Sequence, residues 1–245
     1  MPARDRLPLA LLISWQKLLS AKVNVLVISG FVLLLAFLWV EDSYSLSFKT
    51  FLFLCPFLFL FFSQDMLNDE VSSGALENVL FAGGRFRSYL LSKNGLVAAC
   101  ALGVTLVLFS AFALYGLATH QWEAHIPGQF GSGLLAGAYY VALAGFLSFF
   151  FRAGSNVLLV LLGQVALFVS LLFTASQRTG LAERLTASSF PGISARLEFL
   201  AVSFVLPNIV IARRSWLNLL GLGAMTALFF ALQIWKTKTL ELRKK

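Results

Sequence analysis

The chain has 245 residues, 59% of them hydrophobic and 12% charged, with 25 Phe and a mean hydropathy of +0.84. Soluble domains carry roughly 25% charged residues, so an ordinary water-soluble fold is excluded. The 19 Lys and Arg against 11 Asp and Glu fall between apolar runs, which is a pattern of membrane topology and not of a nucleic-acid-binding face.

The first element is predicted at residues 8–22, where Leu11, Leu12, Trp15, Leu18 and Leu19 lie on one side of a helix and Gln16, Lys17 and Ser20 on the other. That pattern fits an amphipathic helix in the membrane interface. A signal peptide fits less well, because the apolar run Leu7 to Trp15 is short and no small-residue cleavage site follows. Six apolar runs come next: Val23 to Val40, Phe51 to Phe62 (extending back to Tyr44), Gly95 to Ala118, Gly133 to Phe151, Asn156 to Ala175 and Leu217 to Trp235. Each is close to the length of a membrane crossing, and the expected fold is an all-α membrane domain spanning residues 1–245 with six transmembrane helices. A seventh run, Phe199 to Ala212, is too short to cross and contains Pro207. It is expected to enter the membrane and return, leaving Arg213 and Arg214 at lipid phosphates.

With six crossings both termini share a side. That side then holds 13 of the 19 basic residues, including Arg85, Arg87, Lys93, Arg152 and the tail Lys236 to Lys245, so it is expected to be cytoplasmic. Counting Phe199 to Ala212 as a further span would move the basic tail outside, against the same rule.

The runs contain no ionisable residue beyond Lys49 near the outer end of the second. Intramembrane enzymes and ion-coupled carriers usually keep such groups at depth. The polar neutrals Asn24, Asn156, Gln164, Ser170, Thr226 and Gln233 are expected to hydrogen-bond between helices. The absence of any Gly-Lys dipeptide removes the phosphate-binding loop, so no nucleotide, cofactor or catalysis is expected on this chain. His120, Glu123 and His125 lie together in an outer loop, and Cys55 and Cys100 lie in apolar runs. Neither set offers the third rigid ligand that a metal site needs, and no metal is expected. Small residues recur at helical spacing, Gly133, Gly137 and Gly145 in the fourth run and Gly223, Ala227 and Ala231 in the sixth. They allow close helix packing, within the chain or between copies.

The longest cytoplasmic loop runs from Gln64 to Asn94. Within it, Gly74 to Phe81 can form a short helix capped by Ser73 or Gly74, with Glu77 in its first turn and Gly83-Gly84 at its end. Ala75, Leu76, Val79 and Leu80 share a face. A helix below ~12 residues is marginal alone, so this face needs a surface to dock on.

The stretch Glu70-Val-Ser-Ser-Gly74-Ala-Leu76-Glu77-Asn-Val79-Leu80, followed by Arg85, Leu90, Leu91 and Lys93, resembles the cytoplasmic loop of type-2 ABC transporter permeases. Gly74, Leu76, Glu77, Leu80 and Lys93 match in register, while Gly83 stands where the family has a turn proline and the arginine comes about one position early. The interfacial helix, the six runs, the short segment before the last run and the basic tail resemble the same family. The resemblance implies a permease subunit of the bacterial inner membrane that pairs with a second permease copy or paralogue. It also implies docking, through a coupling loop at 65–93, on separate ATPase subunits that hold ATP and magnesium. Glu70, Gly74, Leu76, Glu77, Val79, Leu80 and Lys93 would form the coupling element. Export is implied, and the apolar Phe-rich interior suggests a lipid-like or amphipathic cargo among membrane lipids. The alternatives are a haem-exporter-like subunit of cytochrome maturation and a permease-like scaffold of an assembly or signalling complex.

Overall fold

A computed structural model describes residues 22–41, 43–64, 86–151, 154–176, 193–212 and 215–243. Among these, every regular element is helical: α1 (Lys22–Glu41), α2 (Tyr44–Phe62), α3 (Phe86–Ala118), α4 (Ile126–Leu147), α5 (Ser155–Ser176), α6 (Ile193–Val205), α7 (Ile209–Ala212) and α8 (Trp216–Arg243). Four of them, α2, α3, α4 and α8, are long and apolar enough to cross a membrane, and α1 and α5 are apolar over 24–40 and 155–170. The chain is all-α in the described residues and has the make-up of a multi-pass membrane protein. Each of the six longer apolar runs read from the sequence overlaps one helix, and the shorter run Phe199 to Ala212 overlaps two, α6 and α7. The interfacial helix expected at 8–22 lies outside the described residues except for Lys22, and so do 65–85 of the coupling loop and the pair Arg213-Arg214.

Several boundaries differ from the sequence reading: α4 starts at Ile126 instead of Gly133 and α8 runs to Arg243 instead of Trp235, and two further differences have local reasons. The third run was bounded at Gly95 by its hydropathy, yet α3 starts at Phe86. Its 33 residues at 1.5 Å each make about 50 Å, some 20 Å more than a hydrocarbon core, because helical propensity and the burial of Tyr89, Leu90, Lys93 and Asn94 continue the helix past its apolar part. The fourth run ends early: α4 stops at Leu147, where Ser148 donates through Oγ to the Gly145 carbonyl and Phe149 and Phe150 tighten into turns.

The helix ends are set by side chains and by special backbone. Ser43 caps α2, its Oγ accepting from the Leu46 N–H at 3.3 Å. At the end of α3, His120 takes a left-handed conformation with φ 57°. The Gln121 N–H reaches the Gly116 carbonyl and the His120 N–H the Leu117 carbonyl, the two reverse bonds of a Schellman turn. Pro127 sits in the first turn of α4, where its missing N–H leaves no bond unmade. Gly154, at φ 77°, turns the chain into α5 and donates to the Gln64 carbonyl. Asn156 then donates through Nδ2 to the Ser63 and Ala144 carbonyls, tying α2, α4 and α5 together at this end.

Helix α4 is the centre of the bundle, packed most heavily against α2 and α8 and also against α3, α5 and α7. Its glycines explain the close approach to α2. A Cβ added at Gly137 would fall 2.6 Å from the Phe59 ring, and one at Gly133 would fall 3.1 Å from Cys55 Sγ. Gly145 is buried as well. The triplet on α8 differs: an added Cβ at Gly223 meets nothing within 4 Å, and Ala227 and Ala231 are exposed.

Candidate functional site

Two prolines interrupt helices at the middle of the bundle, and the chemistry of the molecule gathers around them. Pro56 in α2 has no N–H for the Leu52 carbonyl. Cys55 supplies a weak substitute, its Sγ lying 3.4 Å from that oxygen. Pro207 stops the helical ladder after the Leu206 N–H to Val202 carbonyl bond, and the chain restarts as α7. The break leaves the Phe204 and Val205 carbonyls without helical partners inside the bundle, where an unmet buried carbonyl is costly.

Side chains from two other helices, α4 and α5, meet that need. Tyr139 donates through its hydroxyl to the Phe204 carbonyl at 2.6 Å. Gln164 on α5 donates through Nε2 to the Val205 carbonyl at 3.0 Å and to the Tyr140 hydroxyl at 2.7 Å. Tyr140 donates through its own hydroxyl to Asn208 Oδ1 at 2.6 Å, and Asn208 Nδ2 donates to the Phe53 carbonyl on α2. The bonds therefore run in one direction, from α5 through α4 to the break and on to α2. Chains of this kind polarise one another in a low-dielectric setting. Tyr139, Tyr140 and Asn208 are all 0% exposed. The donors and acceptors are neutral hydroxyls, amides and carbonyls, so the chemistry available here is hydrogen bonding.

Contacts along α6 and α7 trace the path of this bent segment. Leu200 presses on Gly221 near the start of α8, and Phe204 lies with its ring 5.8 Å from that of Phe229, two turns farther along. Asn208 reaches Phe53 and Tyr140, in the middle thirds of α2 and α4. Beyond it, Ile211 lies level with Gly133, and Ser215 and Trp216 share a cavity with Gly128, Gly131 and Ser132 near the start of α4. The chain thus runs inward along α8, reverses at Leu206–Pro207–Asn208 and comes back toward the end of the bundle from which it started.

An apolar groove lies between α1 and α2. Its volume is about 380 Å³, and its walls are Val27, Gly30, Phe31 and Leu34 on one side and Leu54, Phe57, Leu58 and Phe61 on the other, with Leu161 of α5 beneath. This is within the usual size of a small-ligand site.

Of the coupling residues read from the sequence, Glu70, Gly74, Leu76, Glu77, Val79 and Leu80 lie outside the described residues. Lys93 is described: it is buried, about two turns inside α3 instead of at its start. The neighbouring Asn94 donates to Gln233 Oε1 at 2.7 Å, and Gln233 Nε2 donates to the Ala142 carbonyl at 2.6 Å, linking α3, α8 and α4. The interhelical role expected of the polar neutrals holds for Asn156, Gln164 and Gln233, whereas Thr226 bonds back to Leu222 within α8. Ser132 likewise bonds within its own helix, to the Gly128 carbonyl. His125 Nδ1 is 3.1 Å from Glu123 Oε2, and no group of three metal-ligating side chains occurs among the described residues.

Sequence reasoning missed Tyr139, Tyr140 and Asn208. Two adjacent tyrosines inside an otherwise aliphatic run, and an asparagine directly after a proline in an apolar segment, are the signals that could have found them. No family model, curated protein or solved structure matches the chain.

Proposed function

We propose that the chain is the permease subunit of an ATP-driven transporter of the type-2 ABC kind. It crosses the bacterial inner membrane six times, pairs with a second permease and exports an amphipathic or lipid-like cargo. The resemblance of residues 70–93 is the sequence argument for it. The observation that supports it is the α6–α7 segment between the fifth and sixth apolar helices, which bends at Pro207 beside the middle of α2 and α4, with the Phe204 and Val205 carbonyls met by Tyr139 and Gln164. Such irregular backbone is tolerated at membrane depth only where protein or a water-filled cavity lines it. A segment that turns back keeps the basic tail on the cytoplasmic side, as the charge distribution favours.

The groove between α1 and α2 supports the cargo class. It offers apolar walls at membrane depth and open space beside Gly30, which suits an acyl chain better than a polar solute. Work is done by partner ATPases, and this chain converts their closure into movement of α2 and α3, the helices that flank residues 65–85.

Leu80→Asp tests the proposal. Loss of apolar burial together with desolvation of a new carboxylate should cost several kcal/mol at a dry contact. Membrane insertion should be unchanged, while the ATPase recovered with the chain, and ATP hydrolysis in lipid, should fall to background. Unchanged recovery and hydrolysis would remove the coupling role of this loop and with it the transporter reading.

A further inference from the structure

The segment on either side of Pro207 is divided between two sets of helices. Before the proline, α6 packs mainly on α5 and α8; after it, α7 packs mainly on α4 and α2. The division falls where the backbone is weakest, because Pro207 has no N–H with which to continue the α6 ladder beyond Leu206. With only four residues (Ile209–Ala212), α7 is far below the length at which a helix holds itself. Its position is set by what it touches. Val210 and Ile211 are buried, and Ile211 lies beside Cys55 over the bare backbone of Gly133, where an added Cβ would be 3.1 Å from Cys55 Sγ and 3.6 Å from Ile211 Cδ1.

Asn208 joins α7 to α2 by a bond unlike the others at the break. Tyr139 and Gln164 serve carbonyls that have lost their helical donors. Asn208 Nδ2 instead donates to the Phe53 carbonyl, whose ladder donor, the Phe57 N–H, remains in α2. The bond is not needed to satisfy that carbonyl, so its effect is to hold two elements together. It grips α2 one residue past Leu52, whose carbonyl is the one that Pro56 leaves without an N–H. A helix bends most readily where a ladder bond is missing. Asn208 is fully buried, so water does not compete for the bond.

We infer that Pro207 is a hinge: Asn208 ties α7 to the half of α2 before Pro56, and α7 moves with it, while α6 moves with α5 and α8. The inference stands on this geometry and does not rest on the transporter reading. Under that reading it carries a movement of α2 to the end of the bundle away from residues 65–85. Its test needs no ATPase.

The test compares two cysteine pairs in the full chain in lipid vesicles, oxidised with iodine and read as the rate of disulfide formation. One pair joins α2 to α7, native Cys55 with Ile211→Cys. The other joins α6 to α8, Leu200→Cys with Gly221→Cys, where Leu200 already presses on the glycine. Cys100→Ala is present in both and Cys55→Ala in the second, which leaves no other free thiol. Asn208→Leu should slow the first pair about fivefold, as for loss of one net hydrogen bond, and leave the second unchanged. Asn208→Ser, too short to reach the Phe53 carbonyl, repeats the comparison with a smaller change in packing. Tyr140→Phe keeps the bond from Asn208 to Phe53 and should change either pair by less than about twofold. An unchanged first pair in both Asn208 variants would overturn the tie, as would equal slowing by Tyr140→Phe. Equal slowing of the two pairs by the Asn208 variants would mean that α6 and α7 move as one body, and would overturn the hinge.

Discussion

The first half of the bundle and its centre are built by opposite means. Around the start of α2, stability comes from rings. Phe48 stacks on Phe112 with centroids 5.0 Å apart, Phe51 stacks on Phe112 at 5.4 Å, Phe109 on Phe130 at 3.9 Å and Trp39 on Phe112 at 5.1 Å. The helical backbone beneath them satisfies itself, so side chains are free to be apolar. At the centre, α6 is broken by Pro207, and the Phe204 and Val205 carbonyls are answered by a hydroxyl and an amide from neighbouring helices. The difference teaches what sets the value of a polar side chain in such a protein: Asn94, Gln233 and Tyr44 also bond across unbroken helices, but a bond counts for most where its loss would strand a carbonyl that the backbone no longer serves.

Substitutions that leave shape nearly constant can break this comparison. The largest effect is expected for Asn208→Leu, which removes the donor to the Phe53 carbonyl and the acceptor for the Tyr140 hydroxyl at a fully buried site. The Phe53 carbonyl falls back on the α2 ladder, but the Tyr140 hydroxyl is left without an acceptor at a fully buried site, which should destabilise the fold by about 2–3 kcal/mol, read as a lowered midpoint of denaturation in detergent. Tyr139→Phe should cost about 1–2 kcal/mol, because the Phe204 carbonyl has lost its helical partner to the break and depends on that hydroxyl. Tyr44→Phe makes the same chemical change in the ring-stacked region, removing a donor 2.8 Å from the Phe112 carbonyl. Phe112 lies inside the unbroken α3, where the ladder still supplies a donor, so the loss should stay under about 0.5 kcal/mol. Equal costs for the two tyrosines would mean that backbone interruption does not decide the value of these bonds.

Much of this arrangement was legible in the sequence, and the rest was not for physical reasons. Hydropathy alone places α1, α2 and α5 to within a few residues, because a bilayer demands long apolar runs, and it places the start of α8 but not its end, which continues past Trp235 to Arg243. The bend at Pro207 was visible as a run too short to cross. The beginning of α3 was hidden because its first turns carry Arg87, Ser88 and Lys93, which hydropathy reads as loop although a helix accommodates them. Gln164 was readable as a hydrogen-bonding residue on α5, but not its partners, since the contact spans 41 residues to the Val205 carbonyl and depends on the fold bringing α6 beside α5. Gly133 and Gly137 turned out to seat α2, whereas the similar spacing on α8 faces outward. Spacing gives the face of a helix and not what lies against it.

The central claim is that α6 and α7 enter the membrane and return, so that the residues before and after them lie on one side. Replacing Cys55 and Cys100 and placing single cysteines at Ser188 and at Ser215 tests it in intact cells with a membrane-impermeant thiol reagent. The account predicts that both positions are labelled from outside without permeabilisation. Labelling of Ser188→Cys from outside with Ser215→Cys reached only after permeabilisation would make the segment a seventh crossing and contradict it.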